Sequence, residues 1–339
     1  MEVPKGIPNP SNKVCKLRKS LYGLKQASRQ WFSKLTQTLL TLGYQQSKYD
    51  YSLFINKSST DITIVAVYVD DIMVTGSNFS EVIHLKQHLN ALFGIKDLGQ
   101  LHYFLGLEVI HTAEGIILSQ RKFTNELLKE CGPLPNTAVS TPLPLNCKLS
   151  PDDGEPLPDP FLYRTLVGKL NFLTHTRPDL SCIAQTLSQF MQQPRTSHLR
   201  ALQHTFRYIQ GTIGAGILLK GSDKLTLQAF LDSDWAACPS TRRSVTGYLI
   251  LFGNSPISWK SKKQGTVSKS SSEAEYRAMS QAASEVTWIV RLLEELGVSS
   301  LKPVTLYCDN QSAIHIGKNP VFHERTKHIE IDCHFTRDK

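Results

Sequence analysis

Two sets of carboxylates stand out by type and spacing. Asp70 and Asp71 lie between the apolar runs 62–69 and 72–74, where a hairpin of buried, Val- and Ile-rich strands would turn. Adjacent carboxylates on a tight turn repel each other unless a cation or proton intervenes, so the pair reads as a divalent-metal site. Ordinary turn chemistry is the bland alternative. In the last third of the chain, Asp232 ends an apolar run, Glu275 lies near the start of a long helical pattern, and Asp309 ends a second apolar run. Acids delivered from separate strands and a helix can converge on metal ions that act on a phosphodiester. Local alternatives stay open for each. Asp234 competes with Asp232, and Asp309 can cap the helix that Gln311 opens. Both Ser272/Glu275 and Ser270/Glu273 fit a capping box; the second choice leaves Glu275 free for metal.

The elements that must carry these groups follow from hydrophobic periodicity. Trp31, Leu35, Leu39 and Leu40 predict a helix from Gln26 onward, and 81–93 predicts a second. Segments 101–109 and 117–120 read as strands with glycine at the bends, and 122–131 as a helix. Segment 132–160 holds Pro133, Pro135, Pro142, Pro144, Pro151, Pro156, Pro158 and Pro160, too many for a packed helix or central strand. Segment 163–219 reads as helices interrupted at Arg177-Pro178 and Gln193-Pro194. The remainder reads as strands at 225–231, 244–252 and 257–260, a helix at 270–296 stopped by Gly297, a strand at 303–308 and a helix at 311–316.

Composition narrows the partners. Of 339 residues, 38 are basic and 29 acidic, and the resulting +9 favours a polyanion. No run supplies the eighteen or so apolar residues of a membrane span, and no signal peptide opens the chain. Seven scattered cysteines fit a reducing, intracellular compartment without a disulfide framework. Lys25, Gln26 and Arg29 sit beside aromatic residues at a loop–helix junction, a combination suited to phosphates and a stacked base. Arg242, Arg243, Lys260, Lys262 and Lys263, with Lys269, form a second basic group suited to duplex phosphates. A solvated basic surface is the competing reading for both. His323, His328, Cys333 and His334 match no compact zinc spacing.

Tyr68-Val69-Asp70-Asp71 resembles the Tyr-x-Asp-Asp signature of reverse transcriptases. The order SLYGLKQASRQW, YVDD, FGIKDLGQLHYFLGLEV, YRTLVGKLNFLTHTRPD, DSDWAACPSTRRSVTGY, ISWKSKKQ, SSSEAEY, YCDNQSAI and NPVFHERTKHIEIDCHF resembles the reverse transcriptase–ribonuclease H region of copia-type LTR retrotransposon polyproteins. The resemblance implies an α+β chain. It would comprise a partial palm–thumb domain over 1–131, a Pro-rich linker over 132–160 and a helical connection over 161–222. A ribonuclease H-like mixed sheet with helices would occupy 223–339.

The same resemblance implies Mg2+ (or Mn2+) held by Asp70 and Asp71 for DNA synthesis, and by Asp232, Glu275 and Asp309 for hydrolysis of RNA in an RNA–DNA hybrid. The implied partners are an RNA template, a DNA primer, the hybrid and deoxynucleoside triphosphates, with no membrane. Cytoplasm, within a virus-like particle, or nucleus is the implied compartment. Lys25, Gln26, Arg29, Tyr68, Arg242, Arg243, Lys260, Lys262, Lys263, Asn310 and Gln311 are the implied nucleic-acid contacts. Against the family pattern the chain is expected to be short at both ends. An upstream polymerase Asp has no counterpart before Asp50, and a late nuclease acid has only Glu330 or Asp332 as stand-ins. Impaired polymerisation and a loosely packed segment 1–60 follow from that expectation. The alternatives are ribonuclease H activity alone or a non-catalytic nucleic-acid-binding relic.

Overall fold

The computed structural model describes residues 3, 6–8, 13–17, 21, 23–135, 137–144 and 147–318. Tyr22 and the run from 319, with His323, His328, Glu330, Asp332, Cys333 and His334, lie outside the described residues. The fold is α+β, and the chain divides into two compact units, Met1–Gly99 and Gln100–Lys339.

In the first unit, helix α1 (Ala27–Thr41) is followed by strands β1 (Gln45–Gln46), β2 (Leu53–Lys57), β3 (Ile62–Tyr68) and β4 (Asp71–Gly76), then helix α2 (Phe79–Phe93). The four strands pair antiparallel in sequence order. Strand β3 alternates half-buried and buried residues, the period-2 pattern of a sheet with one covered face. Leu35, Leu39, Tyr44, Phe54, Val65, Leu85 and Leu89 meet in one core. The expected loose packing of 1–60 therefore fails for 27–57. Leu35 and Leu39 of α1 and Phe54 of β2 are completely buried, because α1 and the sheet supply each other's apolar cover.

The second unit begins with β5 (Tyr103–Phe104), β6 (Leu107–Thr112), β7 (Gly115–Ser119) and α3 (Arg121–Cys131). Helices α4 (Phe161–Leu173), α5 (Ser181–Ser188) and α6 (Thr196–Gly211) follow, then strand β8 (Ile217–Lys220). The helical reading of 163–219 thus overran its end: Ile217–Lys220 is a strand that pairs antiparallel with β7. Gly211 and Gly214 loosen the helical pattern, and Gly216 permits the pairing, since a Cβ there would lie 2.3 Å from the Leu118 carbonyl oxygen. The Pro-rich segment forms no helix or named strand among its described residues, yet Leu149 is buried in the helical core. That core also holds Tyr163, Leu166, Leu170, Ile183, Leu202 and Phe206.

Strands β9 (Leu227–Asp234), β10 (Val245–Phe252) and β11 (Ser255–Lys263), helix α7 (Ser271–Glu295), strand β12 (Thr305–Tyr307) and helix α8 (Gln311–Lys318) complete the described chain. The sheet order is β11-β10-β9-β12, with the first three antiparallel and β12 parallel to β9. This mixed sheet, with α7 packed on β9 and β10, is ribonuclease H-like, as expected from the resemblance. Leu227, Ala229, Leu231, Tyr248 and Ile250 face Tyr276, Met279, Ala282 and Val286 in its core. Strand β11 is an edge strand longer than expected; Lys260 and Lys262 along it discourage pairing with another chain.

Candidate functional site

Val69 and Asp70 form the two-residue turn and Asp71 opens β4, because Tyr68 pairs with Asp71 across β3 and β4. Both acids are exposed. Val69 takes φ 53°, which is strained for a β-branched residue. The turn is held by Trp31, whose Nε1–H donates to the Val69 carbonyl at 2.7 Å. Trp31 itself packs edge-on against Phe93, ring centroids 4.9 Å apart. Trp31, expected as part of the helical pattern of α1 beside the basic residues, therefore also positions the acidic turn. Among the described residues no third carboxylate, imidazole or thiol joins Asp70 and Asp71 at metal-sharing distance. Tyr68 presents an exposed ring beside the pair, and Lys25, Gln26 and Arg29 are exposed before and within the first turn of α1.

The second set does converge. Asp232 lies inside β9 rather than just after it, because 232–234 continue the ladder opposite Gly247, Thr246 and Val245. The strand alternates buried and exposed positions, so Asp232 and Asp234 are exposed while Ser233 is buried. Ser270 caps α7, its hydroxyl accepting from the Glu273 N–H at 3.2 Å. Glu273 reaches back to the Lys269 N–H at 2.7 Å and pairs with Arg277. Glu275 is thereby released from capping. It is only 4% exposed, and its Oε1 accepts from the Ser233 N–H at 3.0 Å. Asn310, not Asp309, caps α8, its Oδ1 accepting from the Ala313 N–H at 2.9 Å. Asp309 is left exposed beside the cluster.

Ligand atoms of Glu275, Cys308 and Asp309 all lie within 4.8 Å of one another. Burial, then the neighbouring carboxylates Asp232 and Asp309, push the Glu275 carboxyl up to about 7, against the pull of the Ser233 N–H. Three acids thus press together with no protein cation among the causes of that shift, a charge deficit that a hard divalent cation with oxygen ligands would relieve. The Cys308 thiol, 3.9 Å from Glu275 Oε2, stands at the edge of this donor set. Burial chiefly pushes that thiol up, which favours its neutral form in the metal-free site.

Two supporting groups escaped the sequence reading. One is the Ser233 backbone amide. The other is Gln264, 3% exposed at the end of β11, whose amide bonds Ser233, Thr246, Ser268 and Ala274. A glutamine after a lysine run gives no sequence signal of burial. Trp235 follows Asp234, with its indole N–H on the Ser268 carbonyl at 3.0 Å and half the ring exposed.

The basic residues divide. Lys260, Lys262 and Arg242 are exposed, and Arg243 is half-buried. Lys262 shares a rung with Thr246 and Ser233, placing it two strands away, roughly 10 Å, from β9. Lys263 faces the other way and donates to Gln189 Oε1 at 2.7 Å, an engagement within the protein. Gln311 is exposed at the start of α8.

One unit thus carries an acidic hairpin, and the other brings Asp232, Glu275 and Asp309 together on a mixed sheet. Residues 1–144 match the family described as reverse transcriptase (RNA-dependent DNA polymerase). Over 97% of its length the chain is 45% identical to the retrovirus-related Pol polyprotein from transposon RE1 of Arabidopsis thaliana. It is 36% identical, over its whole length, to the corresponding polyprotein from transposon TNT 1-94 of Nicotiana tabacum. Over 84% of the chain and 94% of the relative, it is 31% identical to a transposon Ty5-1 protein of Saccharomyces cerevisiae. The chain belongs to the copia-type retrotransposon Pol polyprotein family and carries its reverse transcriptase-type domain. It spans 22% of the RE1 polyprotein and 26% of the TNT 1-94 polyprotein. No helix among the described residues is long and apolar enough to cross a membrane.

Proposed function

We propose that the second unit hydrolyses the RNA strand of an RNA–DNA hybrid, with Mg2+ (or Mn2+) held by Asp232, Glu275 and Asp309. The observation that carries this reading is the convergence of Glu275 and Asp309 with Asp232; burial first, and then these two carboxylates, push the Glu275 carboxyl up to about 7. When bound, the cation supplies charge neutralisation at the scissile phosphate and a water of lowered pKa. The chain's own residues divide the remaining work. Glu275 is buried and oriented by the Ser233 N–H, so it serves as the fixed member of the set. Asp232 and Asp309 are exposed and reach the substrate side. Lys260, Lys262, Arg242 and Arg243 contact duplex phosphates, and Asn310 and Gln311 flank the Asp309 end.

Asp70 and Asp71 belong, in the same reading, to a nucleotidyl-transfer site using an RNA template, a DNA primer and deoxynucleoside triphosphates. In-line transfer needs both the attacking and the leaving oxygen stabilised, which two carboxylates on one turn do not achieve alone. Nuclease action is therefore the activity expected of this chain in isolation. The experiment is Mg2+-dependent cleavage of an end-labelled hybrid by the purified chain and by the Asp232→Asn/Asp309→Asn variant. Cleavage by the chain, with at least a roughly hundredfold loss in the variant, is expected. Hybrid binding with no cleavage by the unmodified chain would leave a non-catalytic binding protein as the better account.

A further inference from the structure

We propose that Gln264 is a positioning residue for the metal-holding carboxylates: one buried amide ties together the two backbone segments that carry Asp232 and Glu275. The proposal rests on the nuclease reading above. Gln264 Nε2, whose two hydrogens these acceptors share, lies 2.9 Å from the Ala274 carbonyl oxygen, 3.1 Å from Thr246 Oγ1 and 3.3 Å from Ser233 Oγ. Its Oε1 accepts from Ser268 Oγ at 2.9 Å, and its backbone N–H donates to the Ser244 carbonyl at 2.9 Å. The amide's donor and acceptor sides are both used, in a pocket where Ser233, Ser244, Thr246 and Ser268 are themselves buried. Ser233 directly follows Asp232, and Ala274 directly precedes Glu275.

The consequence is mechanical. Asp232 and Glu275 are acids brought close, so when both are ionised their repulsion acts between β9 and the start of α7. Apolar packing of β9 on α7 sets the gross spacing, and a polar group that bonds both elements fixes it at the level of the acids. The Ser233 N–H does so through Glu275 itself, a bond lost if the carboxylate swings away. Gln264 does so independently of either acid. It also fixes the Ser268 side chain, and the carbonyl of the same residue holds the Trp235 indole. A buried network with every arm bonded is rigid, and loss of one arm leaves unpaired groups rather than a smooth adjustment.

Support of this kind typically changes metal affinity about 10- to 100-fold when removed. The test compares the full chain with Gln264→Met, Gln264→Glu and Ser268→Ala. Mn2+ binding without nucleic acid is followed by the electron paramagnetic resonance of the free ion. Binding at other sites is subtracted with the Asp232→Asn/Asp309→Asn variant. The Mg2+ concentration for half-maximal hybrid cleavage is measured alongside. Gln264→Met and Gln264→Glu are expected to weaken Mn2+ binding and raise the half-saturating Mg2+ about tenfold. Cleavage at saturating Mg2+ should largely recover. Ser268→Ala, which removes one arm, should give a smaller shift in the same direction. Unaltered Mn2+ affinity in folded variants, whatever their melting temperature, would make Gln264 an ordinary core amide and overturn the proposal. If neither Gln264 variant folds, Ser268→Ala and Thr246→Val decide by the same criterion. Mn2+ binding without hybrid cleavage by the unmodified chain would sink the nuclease reading separately, leaving the affinity comparison intact.

Discussion

Glu275 shows how one side chain reports the state of the site. Its carboxyl is raised from the ordinary 4.5 to about 7 by burial and by Asp232 and Asp309. A raised folded-state pKa means that ionisation costs the folded chain more than the unfolded one. Its stabilising contribution is complete below 4.5 and is lost as pH rises through about 7. At about 1.4 kcal/mol per unit, the loss is on the order of 3 kcal/mol. Without divalent cations the chain is therefore expected to melt at lower temperature at pH 8 than at pH 5, with Glu275→Gln lacking that component. Mg2+ should raise the midpoint more at pH 8 than at pH 5. Equal pH dependence in the chain and in Glu275→Gln, measured by circular dichroism, would show that the acids do not press on one another. The candidate acids themselves were legible in the sequence because each falls at the end of a strand-like run or near a helix start. The choice between Glu273 and Glu275 was legible only as a pair of capping options, which the Ser270 hydroxyl resolves. Ser233 and Gln264 were not legible, since a backbone amide has no residue type and a buried glutamine looks like surface.

At the scale of elements, periodicity recovered the helices and most strands, because amphipathic faces repeat at 3.6 or 2 residues. It failed where a partner strand decides the conformation. Ile217–Lys220 follows three helices and has no turn chemistry of its own beyond glycine, yet it pairs with β7. Two glycines make that ladder possible. A Cβ on Gly216 would lie 2.3 Å from the Leu118 carbonyl oxygen, and one on Gly115, at φ 145°, would lie 2.1 Å from the Leu219 carbonyl oxygen. Backbone atoms are met in both cases, so no side-chain rotation relieves the clash. Gly216→Ala is expected to destabilise the second unit by about 2 kcal/mol, read as a shift in the urea midpoint. Less than about 0.5 kcal/mol, the usual range for a surface substitution, would mean that the β7–β8 pairing contributes little. The acidic hairpin in the first unit depends on a different device. There a tryptophan reaching from α1 holds the strained Val69, a long-range bond that no local pattern announces.

At the scale of the whole molecule, the second unit matters most for what it joins. The carboxylate triad sits on the β9–β12 side of a sheet whose edge strand β11 leans on the helical segment before it. Trp259 donates its indole N–H to the Thr174 carbonyl at 2.9 Å, and Lys263 bonds Gln189 at the end of α5. Strand β8 pairs with β7 on one side, and the Lys220 N–H donates to Ser255 Oγ at the start of β11. The helical core and the sheet core are separate apolar clusters, but these bonds make the boundary between them a polar and aromatic seam within one unit. Cutting at residue 222 would strand the Trp259 donor and the Lys263 ammonium and open one face of β11 to water. A fragment of 100–339 is therefore expected to melt cooperatively, whereas 223–339 should melt several degrees lower and show Trp259 fluorescence shifted to longer wavelength before unfolding. If the shorter fragment matched the longer one in midpoint and emission, the sheet would be an independent domain and the seam a mere contact. On the nuclease proposal, a sheet braced by the preceding helices should lose more Mn2+ affinity on truncation at 222 than on removal of 1–99, because bracing β11 also braces Gln264 at its end.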